Sequence, residues 1–327
     1  MNKPGYSEYQ AFLETNTKLK IEKFGFVPAS DSISKYTKKL FDKYEIEFFN
    51  SNNGKYALAT IHYLGFDSTI YKRKIGALNI LINPVDISKD EASSQALLLV
   101  DQLSGYLKTS DYELIICRLP LEHLFWIQTL EKTGFTIMDV QCPLLLRNSN
   151  INIADRKSIS PPVQIRDFRP DDIDPIISFG KSAFGKSHLY ADPYLPLNES
   201  DLLHEMWLKN DCTGRAEFVL TSLDNNVVNG FIACLIDHDQ ESILGLHHGH
   251  IDLISVIEGM QGKGIGKLLM QEGLIRFSEI GYDLVTISTQ ATNLRAINLY
   301  QKIGFVMSGF EVTLHGWFKN ERGNENR

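Results

Sequence analysis

The chain of 327 residues is poor in cysteine, with four in all: Cys117, Cys142, Cys212 and Cys234. No two of them form a C-x-x-C pair. That spacing argues against a disulfide frame or a cysteine-held zinc, and predicts buried thiols in a reducing, cytoplasmic compartment. Basic charge is also short. Lys and Arg number 33 against 40 Asp and Glu, for a net charge of −7. A nucleic-acid partner calls for a broad basic face, so none is expected. A small anionic ligand remains allowed, because a few N–H groups and one lysine suffice to hold it. No apolar run approaches the ~20 residues of a membrane span. The opening MNKPGYSEYQ has no signal-type apolar core. A soluble chain without a membrane partner is the expectation.

What remains is ordinary globular material, 43% hydrophobic and 22% charged. Its length suits two domains. Residues 148–162, NSNINIADRKSISPP, are polar and end in two prolines. They set expected boundaries of 1–150 for a first domain, 151–162 for a linker and 163–327 for a second domain. In the second, a strand at Val163–Phe168 leads to a helix carrying Ile173, Ile176 and Ile177. A loop rich in Ser, His and Tyr, a helix from about Asn198 and three strands follow, the third over Ile243–Val256. A helix over about 264–280, a strand at Leu284–Thr289, a helix at Leu294–Ile303 and a last strand from Gly304 to Thr313 complete it. Asp171, Asp172 and Asp174 read as charges at a helix N-terminus, and no metal is expected.

The two halves share a repeat. YELIICRLPLEHLFWIQTLEKTGF at Tyr112–Phe135 aligns without a gap on YDLVTISTQATNLRAINLYQKIGF at Tyr282–Phe305, at an offset of 170. Both end in K-x-G-F, so the same helix–strand–helix–strand unit is expected twice. The copies differ where chemistry would sit. QGKGIG at Gln261–Gly266 faces EASSQA at Glu91–Ala96, and Tyr300 faces Leu130. One active site per chain follows, in the second copy.

QGKGIG precedes an apolar helix, and such a loop lets backbone N–H groups close around a phosphate. It is no P-loop, since Leu268 follows Gly266-Lys267, and its G-x-G-x-G spacing is not the dinucleotide fingerprint. The pattern Q-x-x-G-x-G after the strand Leu253–Val256, with N-x-x-A…L-Y-x-K-x-G-F from Asn293 to Phe305, resembles the GNAT acyltransferase superfamily. Glu258 stands where many members have proline. The resemblance implies a mixed α/β fold of two tandem GNAT-like domains, each a mostly antiparallel central sheet flanked by helices, the first degenerate and non-catalytic. It implies acyl-CoA or acetyl-CoA as co-substrate and no metal. The implied CoA-binding positions are Ile254, Ser255, Val256, Gln261, Gly262, Lys263, Gly264, Ile265, Gly266, Lys267, Asn293 and Asn298. Asn293 bonds the pantetheine arm or caps its own helix.

Residues 163–318 are further similar to bacterial dTDP-fucosamine acetyltransferases, on Ala183-Phe184…Ser187, Tyr190, Tyr194 and the Trp207 helix. This implies a nucleotide-linked amino sugar as acceptor, of the kind used in lipopolysaccharide O-antigen, with CoA as the other partner and a homodimer allowed. Ser187, His188, Tyr190, Tyr194 and His248 are the implied acceptor contacts. Acylation of another small amine, an amino acid or a protein N-terminus is the alternative enzyme reading. A non-catalytic acyl-CoA-binding module is the alternative without turnover.

The resemblance places a tyrosine acid at Tyr300, to meet the leaving thiolate. It places an oxyanion donor at a backbone N–H near Val256. Strand alternation sets His248, His250 and Asp252 on one face. Imidazole titrates near neutrality, so His250 suits the base, and Asp252 would raise its basicity. His250, Asp252, His248 and a water relay all remain open for that role.

Overall fold

A computed structural model describes residues 6–43, 46–50, 56–82, 88–147, 163–180, 184–185, 187–282 and 284–318. The expected linker, and Ala183 in the acceptor loop, lie outside the described residues. The chain forms two compact units. One comprises Met1–Val140, Ser242–Leu246 and Glu311–Arg327, the other Gln141–Glu241 and His247–Phe310. No helix among the described residues is long and apolar enough to cross a membrane.

The first unit opens with helices α1 (Tyr6–Glu22) and α2 (Ser30–Lys43). Strands β1 (Ile46–Asn50) and β2 (Ala57–Tyr63), helix α3 (Gly65–Tyr71) and strand β3 (Ile75–Ile82) follow. Helix α4 (Lys89–Thr109), strand β4 (Leu114–Pro120), helix α5 (Leu124–Lys132) and the start of strand β5 (Phe135–Arg147) come next. Residues β1 to β4 run in sheet order, antiparallel except for the parallel β3–β4 pair. Ala96, Leu99, Val100, Leu103 and Leu107 recur at helical spacing on α4 and are buried with Trp126, Ile127 and Leu130 of α5.

The second unit contains β6 (Gln164–Asp167), α6 (Ile173–Gly180), the short α7 (His188–Ala191), α8 (Leu197–Asn210), β7 (Phe218–Asp224) and β8 (Val227–Ile236). Strand β9 (His248–Val256), α9 (Ile265–Glu279), β10 (Leu284–Gln290), α10 (Leu294–Ile303) and β11 (Val306–Met307) complete it. Its sheet runs β6-β7-β8-β9-β10, antiparallel but for β9–β10. Leu269, Met270, Leu274 and Phe277 of α9 are fully buried against it. Gly249 is required by this packing, since a Cβ there would stand 2.4 Å from Phe277 Cε1. Asp172 caps the turn before α6 through the Arg169 N–H at 2.7 Å and pairs with Arg166, a structural task.

The repeat is real in three dimensions. β4 and β10 occupy equivalent segments at the offset of the aligned repeat, and Ile75 pairs with Leu114 as His248 pairs with Leu284.

Three expectations differ from the structure. The units do not follow a cut at residues 150–163. Gln141–Arg147 of β5 pairs antiparallel with β10 in the second unit. Strand β12 (Glu311–Trp317) pairs antiparallel with β4 in the first. Each unit thus takes its last strand from the other half of the chain. Alternation in a strand tells which face is buried, not which sheet it joins. The expected strand at Ile243–Val256 begins only at His248. Asp237 Oδ1 accepts from the N–H groups of Asp239 and Gln240, each at 3.0 Å, and starts a helical turn over Gln240–Leu244 instead. The single last strand from Gly304 is broken into β11 and β12.

Candidate functional site

β9 and β10 stay paired only from His248/Leu284 to Ile251/Ile287 and then part. At that point β9 carries a bulge. Ala233 of β8 faces Leu253 and Cys234 faces Ile251, so Asp252 is an extra residue with no partner. The Ile257 N–H bonds Asn229 O at 2.9 Å, toward β8. N–H direction alternates along a strand, so the Val256 and Ile254 N–H groups turn to the other side, into the gap. The Val256 carbonyl on that side accepts from Gln261 Nε2 at 2.9 Å. Ser255 between them is buried.

The glycine loop closes this gap at one end. Gly262 and Gly264 hold φ of 81° and 85°, a left-handed backbone that suits glycine. Gly264 is also the N-cap of α9, and no side chain caps it. The helix's own bonding starts with Leu268 N–H to Gly264 O at 3.1 Å. The N–H groups of Ile265 and Gly266 in the first turn are therefore outside the helical ladder, an arrangement suited to an anion. α4 differs at the equivalent place: Ser88 Oγ accepts from the Glu91 N–H at 3.2 Å, and EASSQA is already helical. A Cβ on Gly266 would lie 3.5 Å from Leu299 Cδ2 and 3.9 Å from Val256 Cγ2, so the loop abuts both α10 and β9. Lys263 is exposed and Lys267 half-buried.

On α10, Tyr300 is 5% exposed and packs among Leu269, Ile297 and Phe305. Burial pushes its phenol well above the usual tyrosine range. Asn293 Oδ1 accepts from the Ala296 N–H at 3.3 Å and its Nδ2 donates to Thr289 Oγ1 at 3.1 Å, so the side chain caps its own helix. Asn298 is exposed.

His248 and His250 do share a face. His248 Nε2 lies 2.8 Å and His250 Nδ1 2.9 Å from the same hydroxyl, Thr286 Oγ1 on β10. Asp252, expected on that face, is the residue at the bulge and stands beside His250. Its Oδ1 stands 3.9 Å from His250 Nε2, too far for a hydrogen bond, while its Oδ2 accepts from Arg215 Nη1 at 2.6 Å. The same Arg215 nitrogen pairs with Asp211. Burial first, then the Asp252 charge, pushes the Asp211 carboxyl up to about 7. Burial lowers both imidazoles, His248 to about 4. Both are neutral at pH 7.

The Ser187–Tyr194 loop is more deeply packed than an acceptor lid needs. Ser187 and His188 are buried. Tyr190 donates to Asp201 Oδ1 at 2.6 Å and stacks on His204 at 5.2 Å. Tyr194 is 43% exposed. His204 is fully buried between Tyr190 and Phe184 and donates from Nδ1 to Ser200 O at 2.8 Å. Burial lowers its pKa to about 4. The unfolded chain takes up this proton near pH 6.5 and the folded one does not, so stability falls as pH drops from 6.5 toward 4. Urea unfolding is expected to show wild type losing about 2 kcal/mol more than His204→Phe between pH 6.5 and 5. Equal losses would remove His204 as the cause. The difference between the two proteins cancels the opposite contribution of Asp211.

Arg215, Asp211, Thr286 and Gln240 escaped sequence reasoning, as did Arg295, whose Nη1 donates to Gln261 Oε1 at 2.7 Å beside the loop. Thr286 left a signal, as a polar residue in the apolar run LVTI. The others left none, because each reaches the site from another element.

Residues 187–305 match the model of the acetyltransferase (GNAT) family. The matched segment holds the loop, β9, β10 and Tyr300, and acetyl-CoA is that family's co-substrate. The chain is 30% identical over 148 residues to the spore coat polysaccharide biosynthesis protein SpsD of Bacillus subtilis (strain 168), covering 45% of this chain and 48% of that protein. It spans about half the length of the curated relatives it matches. The GCN5-related N-acetyltransferase of Sphaerobacter thermophilus has the same fold, with a TM-score of 0.57 at 13% identity over 97% of this chain and 95% of that one. A tandem GNAT protein from the clavulanic acid biosynthesis pathway also scores 0.57, at 8% identity over 96% of this chain and 95% of its own. The fold is mixed α/β of the tandem GNAT type.

Proposed function

We propose that the chain transfers an acyl group from acyl-CoA to the amine of a nucleotide-linked amino sugar, of the dTDP-linked 3- or 4-amino-dideoxy type. The acyl group is acetyl or a larger one such as 3-hydroxybutyryl. The observation that carries the transferase reading is the gap between β9 and β10. A phosphate-type loop and the Val256 N–H border it, His250 stands one register short of its opening, and Leu299 of α10 lies against the loop. The sugar class is supported by the Bacillus relative, a spore coat polysaccharide biosynthesis protein. The first unit is read as non-catalytic, since α4 is capped and the buried Leu130 stands where Tyr300 does.

Acyl-CoA brings the thioester, and the chain's own residues do the rest. The α9 N-terminus with Gly262 and Gly264 holds the pyrophosphate. The Val256 N–H donates to the carbonyl oxygen as it gains charge. Of the two protons an ammonium substrate loses, one leaves with the thiol and the other passes through His250 Nε2 to solvent. The amine nitrogen bonds the carbonyl carbon as the C–S bond breaks, with Tyr300 donating a hydrogen bond to the thiolate.

The Gly264 backbone conformation gives a direct test of the loop. Gly264→Val places a β-branched side chain at φ 85°, and a strain of about 1–2 kcal/mol should weaken acyl-CoA binding about tenfold. Titration calorimetry checks it, and unchanged affinity would remove the loop from the site.

CoA release measured over nucleotide-linked amino sugars, amino acids and peptides, with several acyl-CoAs, tests the reading as a whole. Release with the sugars alone is expected. Release with peptide or amino-acid amines alone would move the chain to the second acceptor class. Acyl-CoA binding without release would make it a binding module.

A further inference from the structure

The hydroxyl shared by His248 and His250 has one hydrogen. It donates to at most one ring nitrogen and accepts from the other. The far side of His248 decides between the two directions. His248 Nδ1 lies 3.4 Å from Gln240 Oε1, an acceptor, which calls for the hydrogen on Nδ1. A neutral His248 then has its lone pair on Nε2 and accepts from the Thr286 hydroxyl. Thr286 Oγ1 in turn accepts from His250, which must carry its hydrogen on Nδ1. The reverse direction would need the Gln240 amide turned over, with its Nε2 and not its Oε1 toward His248.

We propose that Thr286 is a positioning residue: through the chain Gln240–His248–Thr286–His250 it fixes His250 as the Nδ1–H tautomer and leaves Nε2 as a free base. The role in turnover rests on the reading of His250 as base, whereas the tautomer does not. A free imidazole prefers its hydrogen on Nε2, the wrong nitrogen for accepting a proton on that side. Nε2 is the atom turned to Asp252, where β9 leaves β10. The charged and titratable groups facing the two rings are Asp252 on their own strand, Arg215 with Asp211 behind it in the turn after α8, and Asp237 at the end of β8. The β8 neighbour of His250 is Leu235, which is apolar. Arg215 holds Asp252 on its far oxygen, so the carboxylate does not take over the ring's orientation from Thr286.

The test is the tautomeric state itself, read from side-chain ¹⁵N shifts of the histidines in the full chain, with His250→Gln to identify the signal. Wild type is expected to show His250 as Nδ1–H. Thr286→Val keeps the shape and removes the hydroxyl. It is expected to shift His250 toward Nε2–H and to lower kcat about tenfold, the size of one neutral hydrogen bond, with the KM for acyl-CoA unchanged. Thr286→Ser should restore both. His250 as Nε2–H in wild type overturns the proposal without any variant, and so does an unchanged tautomer in Thr286→Val. A shifted tautomer with unchanged turnover upholds the positioning role and removes His250 as the base.

Discussion

Tyr300→Phe is expected to lower kcat by about 10²- to 10⁴-fold while acyl-CoA affinity stays where it was, the range of a positioned proton donor. The packing argues that the loss is chemical. The ring lies in the apolar core of the second unit, tilted against Phe305 at 6.1 Å. Phenylalanine fills the same space, so the fold and the loop persist. Burial keeps the phenol protonated far above neutrality, whereas an ordinary thiol ionises near pH ~8.5. Full proton transfer to a solvated thiolate would therefore run uphill. The phenol serves best as a fixed hydrogen-bond donor while sulfur gains charge, with the proton moving once the desolvated thiolate has formed. Steady-state kinetics with titration calorimetry on the same protein separates the two quantities. Turnover equal to wild type would take Tyr300 out of the mechanism.

The parts of this protein that were legible in the sequence are those written in contiguous chain. The loop from Gln261 to Gly266 and the motif from Asn293 to Phe305 each lie in one stretch, so the fold and the co-substrate could be read from them. The repeat was legible for the same reason, since the matched segments need no gap. Strand exchange was not, because Gln141–Arg147 and Glu311–Trp317 are apolar strands that would fit either sheet. Periodicity reaches only as far as Asp252. Alternation assumes an unbroken ladder, and the bulge at that residue shifts every position after it. Arg215 marks the harder limit. It reaches the site from the turn after α8, 37 residues away in sequence, with no local pattern to announce the meeting. The electrostatics of the site depend on that one guanidinium, which binds Asp252 and Asp211 together.

That guanidinium also decides between the candidate bases, and His250→Gln is the variant that tests the choice. Its kcat is expected to fall by about 10²- to 10³-fold, within the range for general base catalysis. Asp252→Asn should fall much less. Asp252 Oδ2 already accepts from Arg215 at 2.6 Å, so that oxygen is engaged and not open to the substrate amine. The pH profile carries the sign. A base works unprotonated, so kcat/KM drops as pH falls through its pKa. Burial holds His250 below the ordinary histidine value of 6.5, which places the acid limb of the wild-type profile below pH 6.5. Asp252 opposes that lowering, so Asp252→Asn should move the limb further toward acid. His250→Gln should abolish it, leaving only the titration of the substrate amine. The opposite pattern, with turnover lost in Asp252→Asn and kept in His250→Gln, would assign the base to Asp252 and require Arg215 to release it during the reaction. Loss in neither would leave a water in the gap as the proton's first acceptor, with His250 reduced to lining the wall.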